Sequence, residues 1–546
     1  MSRLRLLQTE AARNGFGVIA VGVATFVAAA AVGLSTQIAQ PMVHDEFSYL
    51  LAADTFASGR LANPPHPLAP SFETFHVIES PTYASKYPPA QGFFLALGQW
   101  IGGAPILGAW LSAALMSAAI AWMLIAYVPL RWALLGGLLA AGHFGAVGTW
   151  PHSYWGGAVA AFAGALALGA LARVVQHHRP RDAVILALGI LLLANSRPFE
   201  GILLCIPIGI VLARDLLGGR DHKGVSQRVI LPLVLVLFVG LGWMGYYNAR
   251  VTGDPLKLPY VLYEQRTPVP AFTFLPLGEE PPYRDERIRK QQVEFVRGFW
   301  DKPRAIPWLA PDIVESRLIP TWKFYFGWSF TIPLLLLPLA LRKPFSGLLL
   351  SCIAIETAGG LVTTYTMPHY LAPMTGAVVG LVILCLRELD ALRANRWPIG
   401  RVAVAALVAA SLLSVVLRVD EHVHPELMWS RQRAGLIEIL SRTAHRHLIL
   451  VDYPDDYPVV AEWVYNEAEI DKAPVVWARS MGPEADRAVA RHYPLRQIWR
   501  LHWAGPGKSV LGAHALGDGR GPFPYERVLI PWKPRNSWNA FRAEAR

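Results

Sequence analysis

The chain has 546 residues, 53% hydrophobic and only 16% charged, with a mean hydropathy of +0.33. Soluble domains run near a quarter charged, so this balance excludes an ordinary soluble enzyme and points to a polytopic membrane protein. The net charge of +11 does not mark a nucleic-acid binder, because the Arg and Lys residues fall between apolar runs, where the positive-inside rule accounts for them.

Arg3, Arg5 and Arg13 precede the first apolar run, residues 16–38, and set the N-terminus in the cytoplasm. That run is long and lacks a cleavage site before Asp45, so it reads as a retained anchor. His44-Asp45-Glu46-Phe47-Ser48-Tyr49 follows at its outer end, opening a loop over 39–92 that closes at Ser85-Lys86-Tyr87-Pro88-Pro89. A helix is expected from Phe47 to Ala57, stopped at Gly59. Either carboxylate of the pair can cap that helix, and either can serve as a catalytic base at the bilayer edge. The run 93–101 is too short to cross and reads as interfacial.

Further apolar runs occupy 104–128, 132–150, 158–171, 183–195, 202–212, 229–247, 324–341, 345–365, 371–386 and 402–417, giving about eleven spans with the first. Basic clusters such as 173–181, Arg342-Lys343 and Arg387 mark the inner turns. The outer turns then hold His152 and Tyr154, Arg197 and Glu200, His369-Tyr370, and a hydrophilic loop over 248–320. That loop carries Tyr260, Arg266 and the run 283–290, whose cations suit a solvated helix face, a headgroup surface or a charged acceptor. The three cysteines, Cys205, Cys352 and Cys385, lie inside apolar runs, so neither a disulfide framework nor a zinc spacing is present. The many tryptophans near span ends read first as an interfacial belt.

Residues 419–546 read as a small soluble α/β domain outside the membrane, after a membrane domain over 1–418. Strands are expected at 447–453, 474–478 and 497–501 and a helix at 484–492. Gly505-Pro506-Gly507-Lys508 lacks the spacing of a phosphate loop. The domain's role reads as structural or acceptor-docking.

A first span, Asp45-Glu46 at its outer end, a short helix, Lys86-Tyr87-Pro88-Pro89 and a further apolar segment together resemble the GT-C glycosyltransferases. The nearest branch is the bacterial protein-mannosyltransferase-like and aminoarabinose-transferase-like one. The likeness is strongest over the first hundred residues. It implies a GT-C-type α-helical membrane enzyme of the inner membrane that takes a sugar from a polyprenyl-phosphate donor on the periplasmic face. The acceptor would be a cell-envelope glycan, lipid or protein.

Inversion at the anomeric carbon of a hexose or pentose follows from the resemblance. Asp45 takes the place of the general base, with Glu46 beside it to bind acceptor or tune the field. Lys86 takes the place of the lysine near the donor phosphate, although Tyr87 departs from the simpler Lys-Pro-Pro form. Lys86 could equally be a lysine reaching out to the interface.

Arg197 and His369 complete the expected phosphate contacts. An Arg197–Glu200 structural pair is the alternative for the first of these. His44, Tyr49, Tyr87, His152, Tyr154, Tyr260 and Arg266 are the expected substrate contacts. His152 stands where some relatives carry a second acidic residue, and no His/Asp/Glu cluster of metal-ligand spacing stands out, so neither metal nor cofactor is expected. Two rivals remain: a transporter or flippase of lipid-linked sugars, against which the scarcity of charges within the spans counts, and a non-catalytic assembly protein whose carboxylates only cap.

Overall fold

The computed structural model describes residues 3–36, 38–218, 222–304, 313–393, 397–419, 428–455, 457–506 and 525–531. Gly507 and Lys508, and the parts of the expected C-terminal domain at 420–427, 456, 507–524 and 532–546, lie outside the described residues.

Each of the eleven apolar runs falls mainly in helix among the described residues. Helix α1 (Arg3–Thr36) opens the chain and α2 (His44–Ala57) follows after a short extended link. A two-stranded antiparallel ribbon, β1 (Val77–Ile78) and β2 (Ala84–Ser85), then leads into α3 (Pro89–Gly102). Next come α4 (Ile106–Leu124), α5 (Leu130–Ala140), α6 (Gly157–His177), α7 (Pro180–Ala194), α8 (Pro198–Gly218) and α9 (His222–Thr252).

Among the described residues eight helices are long and apolar enough to cross a membrane. A further helix pair, Val314–Tyr325 and Gly327–Ala340, is apolar enough when taken together but meets at an 83° bend, the geometry of a broken span or a re-entrant loop. The other two runs form shorter helices, α7 of 15 residues and Ser346–Val362 of 17. The chain is thus a multi-pass membrane protein, with its main core built from small and branched residues of α4, α6 and the helix Thr375–Asp390.

Alanine and glycine let these helices approach closely, which is how helices associate without a hydrophobic drive between them. Helix α3 shows the same device outside the long spans. A side chain on Gly92 would strike Ala52 and Phe56 of α2 at under 3 Å, so α2 and α3 touch backbone to side chain.

The C-terminal unit carries a four-stranded sheet: β3 (His447–Val451), β4 (Val475–Arg479), β5 (Gln497–Pro506) and β6 (Tyr525–Pro531), in the order β4-β3-β5-β6. β3 pairs in parallel with β4 and β5, and β6 closes the edge antiparallel. Every residue of β3 is buried, as a near-continuous apolar strand inside a parallel sheet should be. The helix Pro483–His492 makes the crossover from β4 to β5.

This unit rests on the loop between α1 and α3 and on the long loop before the bent span. Arg60 pairs with Glu469 at 3.0 Å, and Arg287 donates to the carbonyls of Tyr457 and Pro458 at 2.8 Å each. The basic run 283–290 is therefore not one solvated stripe: Arg287 turns inward, while Arg289 stays outside among Glu280, Glu286 and Glu294. The two loops and the sheet are thus joined by direct contacts.

That contact map generates a topology prediction. Single cysteines at the exposed Gly278 and Glu484 should react with an impermeant thiol reagent in intact spheroplasts, and one at the exposed Arg179 only after lysis. Opposite behaviour of Gly278 and Glu484 would break this joined arrangement.

Candidate active site

Helix α2 begins after Val43, an extended residue whose side chain cannot cap. The cap comes from Glu46 instead. Its Oε2 accepts from the backbone N–H groups of Met42 (2.8 Å) and Val43 (3.3 Å), and its Oε1 accepts from Tyr154 N (3.0 Å). The carboxylate is fully buried, and burial pushes its pKa up to about 7 against the pull of those N–H groups. Glu46 was expected beside Asp45 as a second working carboxylate. With both oxygens committed to backbone, it is the cap.

Asp45 is the other half of the pair and points elsewhere. Its Oδ1 accepts a very short hydrogen bond from the Tyr87 hydroxyl. Its Oδ2 lies 3.6 Å from His76 Nδ1, and about a quarter of the side chain (26%) is exposed. The Tyr87 oxygen is 3.1 Å from His76 Nδ1. Since the one phenolic proton goes to Asp45, His76 Nδ1 is the protonated nitrogen and donates to Tyr87. Burial holds the His76 pKa well below its usual value, so the ring is neutral.

His76 itself sits at φ 61°, a left-handed conformation that costs a non-glycine residue on the order of 1 kcal/mol. Three bonds hold it there. Its N–H donates to Tyr263 Oη (2.8 Å), and its carbonyl accepts from Ser48 Oγ (2.6 Å) and Lys86 N (3.2 Å).

Lys86 is buried and its Nζ lies 3.3 Å from Glu264 Oε1. The rings of Tyr263, Tyr260 and Tyr87 surround the ammonium at 4.5, 4.9 and 5.3 Å. Three of these partners come from one short helix, α10 (Pro259–Glu264), where positions i, i+3 and i+4 share a face. The lysine is enclosed within this cage and does not reach out to the interface.

Arg197, just before α8, is expected either as an anion ligand or as half of a pair with Glu200. Its guanidinium lies over the Tyr370 ring at 4.3 Å, and Glu200 lies near enough to attract it electrostatically. Its Nε is buried without a hydrogen-bond partner. Tyr49 stacks on Tyr87 at 4.5 Å and links this side to Asp45.

Asp45, Lys86, Tyr49, Tyr87 and Tyr260 thus form one cluster, and Arg197 lies near enough to Tyr49 and Tyr87 to interact with both electrostatically. His369 is stacked flat on Trp155 at 4.5 Å. His44 turns to another side of α2, where it is bonded to Tyr465. Tyr154 joins the scaffold through its N–H to Glu46 and its hydroxyl to Ala39 O (2.8 Å).

Two expected substrate contacts are occupied otherwise. His152 is bonded to Ala146 O at 2.7 Å, and Arg266 is paired with Glu79 and Glu73. Burial pushes the Glu79 pKa up to about 7 even beside that arginine. His76 and Glu264 were not among the expected site residues: a left-handed φ leaves no mark in a sequence without a glycine, and Glu264 is 178 residues from its lysine.

A separate group, His66, Asp471 and His492, gathers one ligand atom each within 4.8 Å of one another. Leu68 N donates to His66 Nδ1 at 3.0 Å, so Nε2 carries the ring proton and donates to Asp471 Oδ1 at 3.2 Å. Tyr493 Oη donates to the same oxygen at 2.6 Å. A metal ligand would need the opposite tautomer at His66. The group therefore reads as a hydrogen-bonded clasp between the loop and the C-terminal unit.

No family model and no curated relative matches the chain. Solved structures do. ArnT from Cupriavidus metallidurans, bound to undecaprenyl phosphate, aligns at 15% identity with a TM-score of 0.50, over 88% of this chain and 93% of that one. An oligosaccharyltransferase from Archaeoglobus fulgidus in complex with zinc and sulfate aligns at 11% identity and a TM-score of 0.50, over 88% and 67%. Both are GT-C glycosyltransferases. Over 88% of its length the chain follows their architecture, and its fold is the GT-C membrane fold.

Proposed function

We propose that the protein is an inner-membrane glycosyltransferase that moves a sugar from a polyprenyl-phosphate donor to an acceptor of the cell envelope on the outer face. One observation carries the reading: a partly exposed carboxylate, Asp45, shares the Tyr87 ring with an enclosed ammonium, Lys86, and a half-buried arginine, Arg197, interacts electrostatically with the same tyrosine while its buried Nε has no hydrogen-bond partner. A base beside two cations is what transfer from a lipid phosphate requires. The undecaprenyl phosphate on ArnT supports the choice of donor.

In this reading Oδ2 of Asp45 takes the proton of the acceptor hydroxyl or amine as that group attacks the anomeric carbon. The bond from the anomeric carbon to the phosphate oxygen breaks, and its electron pair leaves with the polyprenyl phosphate. Lys86 and Arg197 take up the charge growing on that phosphate. Attack opposite the leaving group inverts the anomeric centre, and no metal is assigned a part. Residues 1–418 would form the catalytic membrane domain and 419–546 the periplasmic one, with the N-terminus in the cytoplasm.

Two carboxylates side by side make the sharpest test. Asp45→Asn keeps a side chain suited to a helix start but removes the base. It should purify with normal stability, bind donor, and lose roughly 10²–10⁴-fold in turnover. Glu46→Gln should do the reverse: one oxygen of its carboxylate is replaced by a donor, stranding a backbone N–H at a cost of about 1–3 kcal/mol in stability with a much smaller effect on turnover.

The pH sign is fixed as well. The folded pKa of Glu46 is raised to about 7, so the fold favours the protonated acid. Its contribution is full below the ordinary carboxylate range and declines as pH rises through about 7, so the parent should lose stability relative to Glu46→Gln over that window. Turnover of a panel of labelled undecaprenyl-phosphate sugars, with thermal melts across pH, checks both variants. Full activity in Asp45→Asn would end the base assignment.

Lys86 supplies a further test. Lys86→Ala should weaken donor binding by roughly 1.5–3 kcal/mol, the range for a hydrogen bond to a charged group. Lys86→Arg should keep part of that binding because the charge remains. Donor affinity measured with undecaprenyl phosphate itself, without turnover, separates this from any effect on the base.

A further inference from the structure

The C-terminal unit touches α2 along one face. His44 and Phe47 meet Tyr465, Leu51 packs into the same apolar core as Trp463 and Trp477, and Asp54 Oδ2 accepts from Ala468 N at 2.6 Å. At about 100° per residue these positions fall on one side of the helix, with Asp45 about 100° round from His44. Tyr465 is the principal contact at the catalytic end. Its hydroxyl is 2.8 Å from His44 Nδ1, and its ring lies flat on Phe47 at 4.0 Å and 3°.

The tyrosine has little freedom of its own. Arg433 donates to the carbonyls of Trp463 (3.0 Å) and Tyr465, and the same guanidinium lies over Phe47 at 5.1 Å. Trp429 stacks on Phe47 at 5.9 Å. His44 is 5% exposed, and its Nε2 is buried without a partner, so the bond to Tyr465 is the ring's one hydrogen bond among the described residues.

We infer that Tyr465 is a positioning residue for Asp45: the C-terminal unit sets the start of α2, and with it the direction of the neighbouring carboxylate, through the His44–Tyr465 bond. This rests on the reading of Asp45 as the base. The C-terminal unit is thereby part of the active site without touching the reacting atoms. A displacement near 1 Å at a positioned catalytic group costs up to about a hundredfold in rate, and the loss of a single hydroxyl that leaves the stacked ring in place sits at the lower end of that range.

The experiment is a double-mutant cycle on the full-length protein. Tyr465→Phe keeps the stack on Phe47 and removes only the hydroxyl. It should lower kcat about tenfold, with the KM for undecaprenyl-phosphate sugar and the Tm near those of the parent. Tyr465→Leu should lose more. In the Asp45→Asn background Tyr465→Phe should change the residual rate less than about twofold, because the group it positions is no longer a base. Equal tenfold losses in both backgrounds would make Tyr465 a general structural residue and overturn the inference. A parent-like Tyr465→Phe beside a crippled Asp45→Asn would overturn it alone, whereas full activity in Asp45→Asn would overturn the base assignment and this inference together.

Discussion

The site depends on a buried carboxylate whose two oxygens both go to backbone N–H groups. Glu46 gathers the N–H groups of Met42, Val43 and Tyr154, from two stretches of backbone that are distant in sequence. Satisfying them ends the link from α1, starts α2 and ties both to the turn after α5. An ion in so dry a place is costly, and three convergent N–H groups offset only part of that cost, which leaves the Glu46 pKa raised to about 7. Once Glu46 is held, the direction of the residue before it is set: a helix turns about 100° per residue, so Asp45 points to another side, toward Tyr87 and His76. A carboxylate adjacent to its own anchor is a short lever, which favours precision over reach.

A second buried carboxylate does for the C-terminal unit what Glu46 does for α2. Glu462 is completely buried, yet its pKa falls to about 2. Burial pushes it up, and Arg479 and Arg287 more than offset that. Arg479 belongs to β4 and Arg287 to the long loop, at 3.0 and 3.3 Å from the same oxygen, with the Tyr453 hydroxyl on the other. Removing one member of such a group leaves an uncompensated buried charge, which costs about 3–5 kcal/mol. The long loop is thereby fixed to the sheet, and Tyr260, Tyr263 and Glu264 are set around Lys86 from the same loop. Sheet, loop and lysine cage form one chain of contacts.

How much of this was legible follows the range of each interaction. Hydropathy is a local property, so the apolar runs gave the helices, and the strands around 447, 475 and 497 showed as short apolar runs between turns. Length was less secure: α7 and Ser346–Val362 fall short of a full span, and the bend after Tyr325 is not announced by its apolar neighbours. The Asp45-Glu46 pair stood out, but which carboxylate caps depends on where Tyr154 N lies, 108 residues away. Lys86 could be placed near the site by resemblance, whereas its partner Glu264 sits in a loop with no apolar period to read. Arg266 and His152 looked available because their partners, Glu79 and a backbone carbonyl, are tertiary facts.

Helix α2 shows why pattern alone fails where function is densest. Ten of its fourteen residues are buried and no side is plainly polar, so no apolar stripe marks an inside and an outside. The reason is that each face has a different neighbour. His44, Phe47, Leu51 and Asp54 face the C-terminal unit, while Ser48 bonds to Ser85 and to the His76 carbonyl beside the ribbon. Ala52 and Phe56 lie against Gly92 of α3, and Glu46 faces the turn at Tyr154. Asp45, with Tyr49 one turn on, is turned toward Tyr87. A helix hemmed in on every side has one orientation, and that is the physical condition for holding a carboxylate at one angle. The uniform burial that erased the sequence signal is what fixes Asp45.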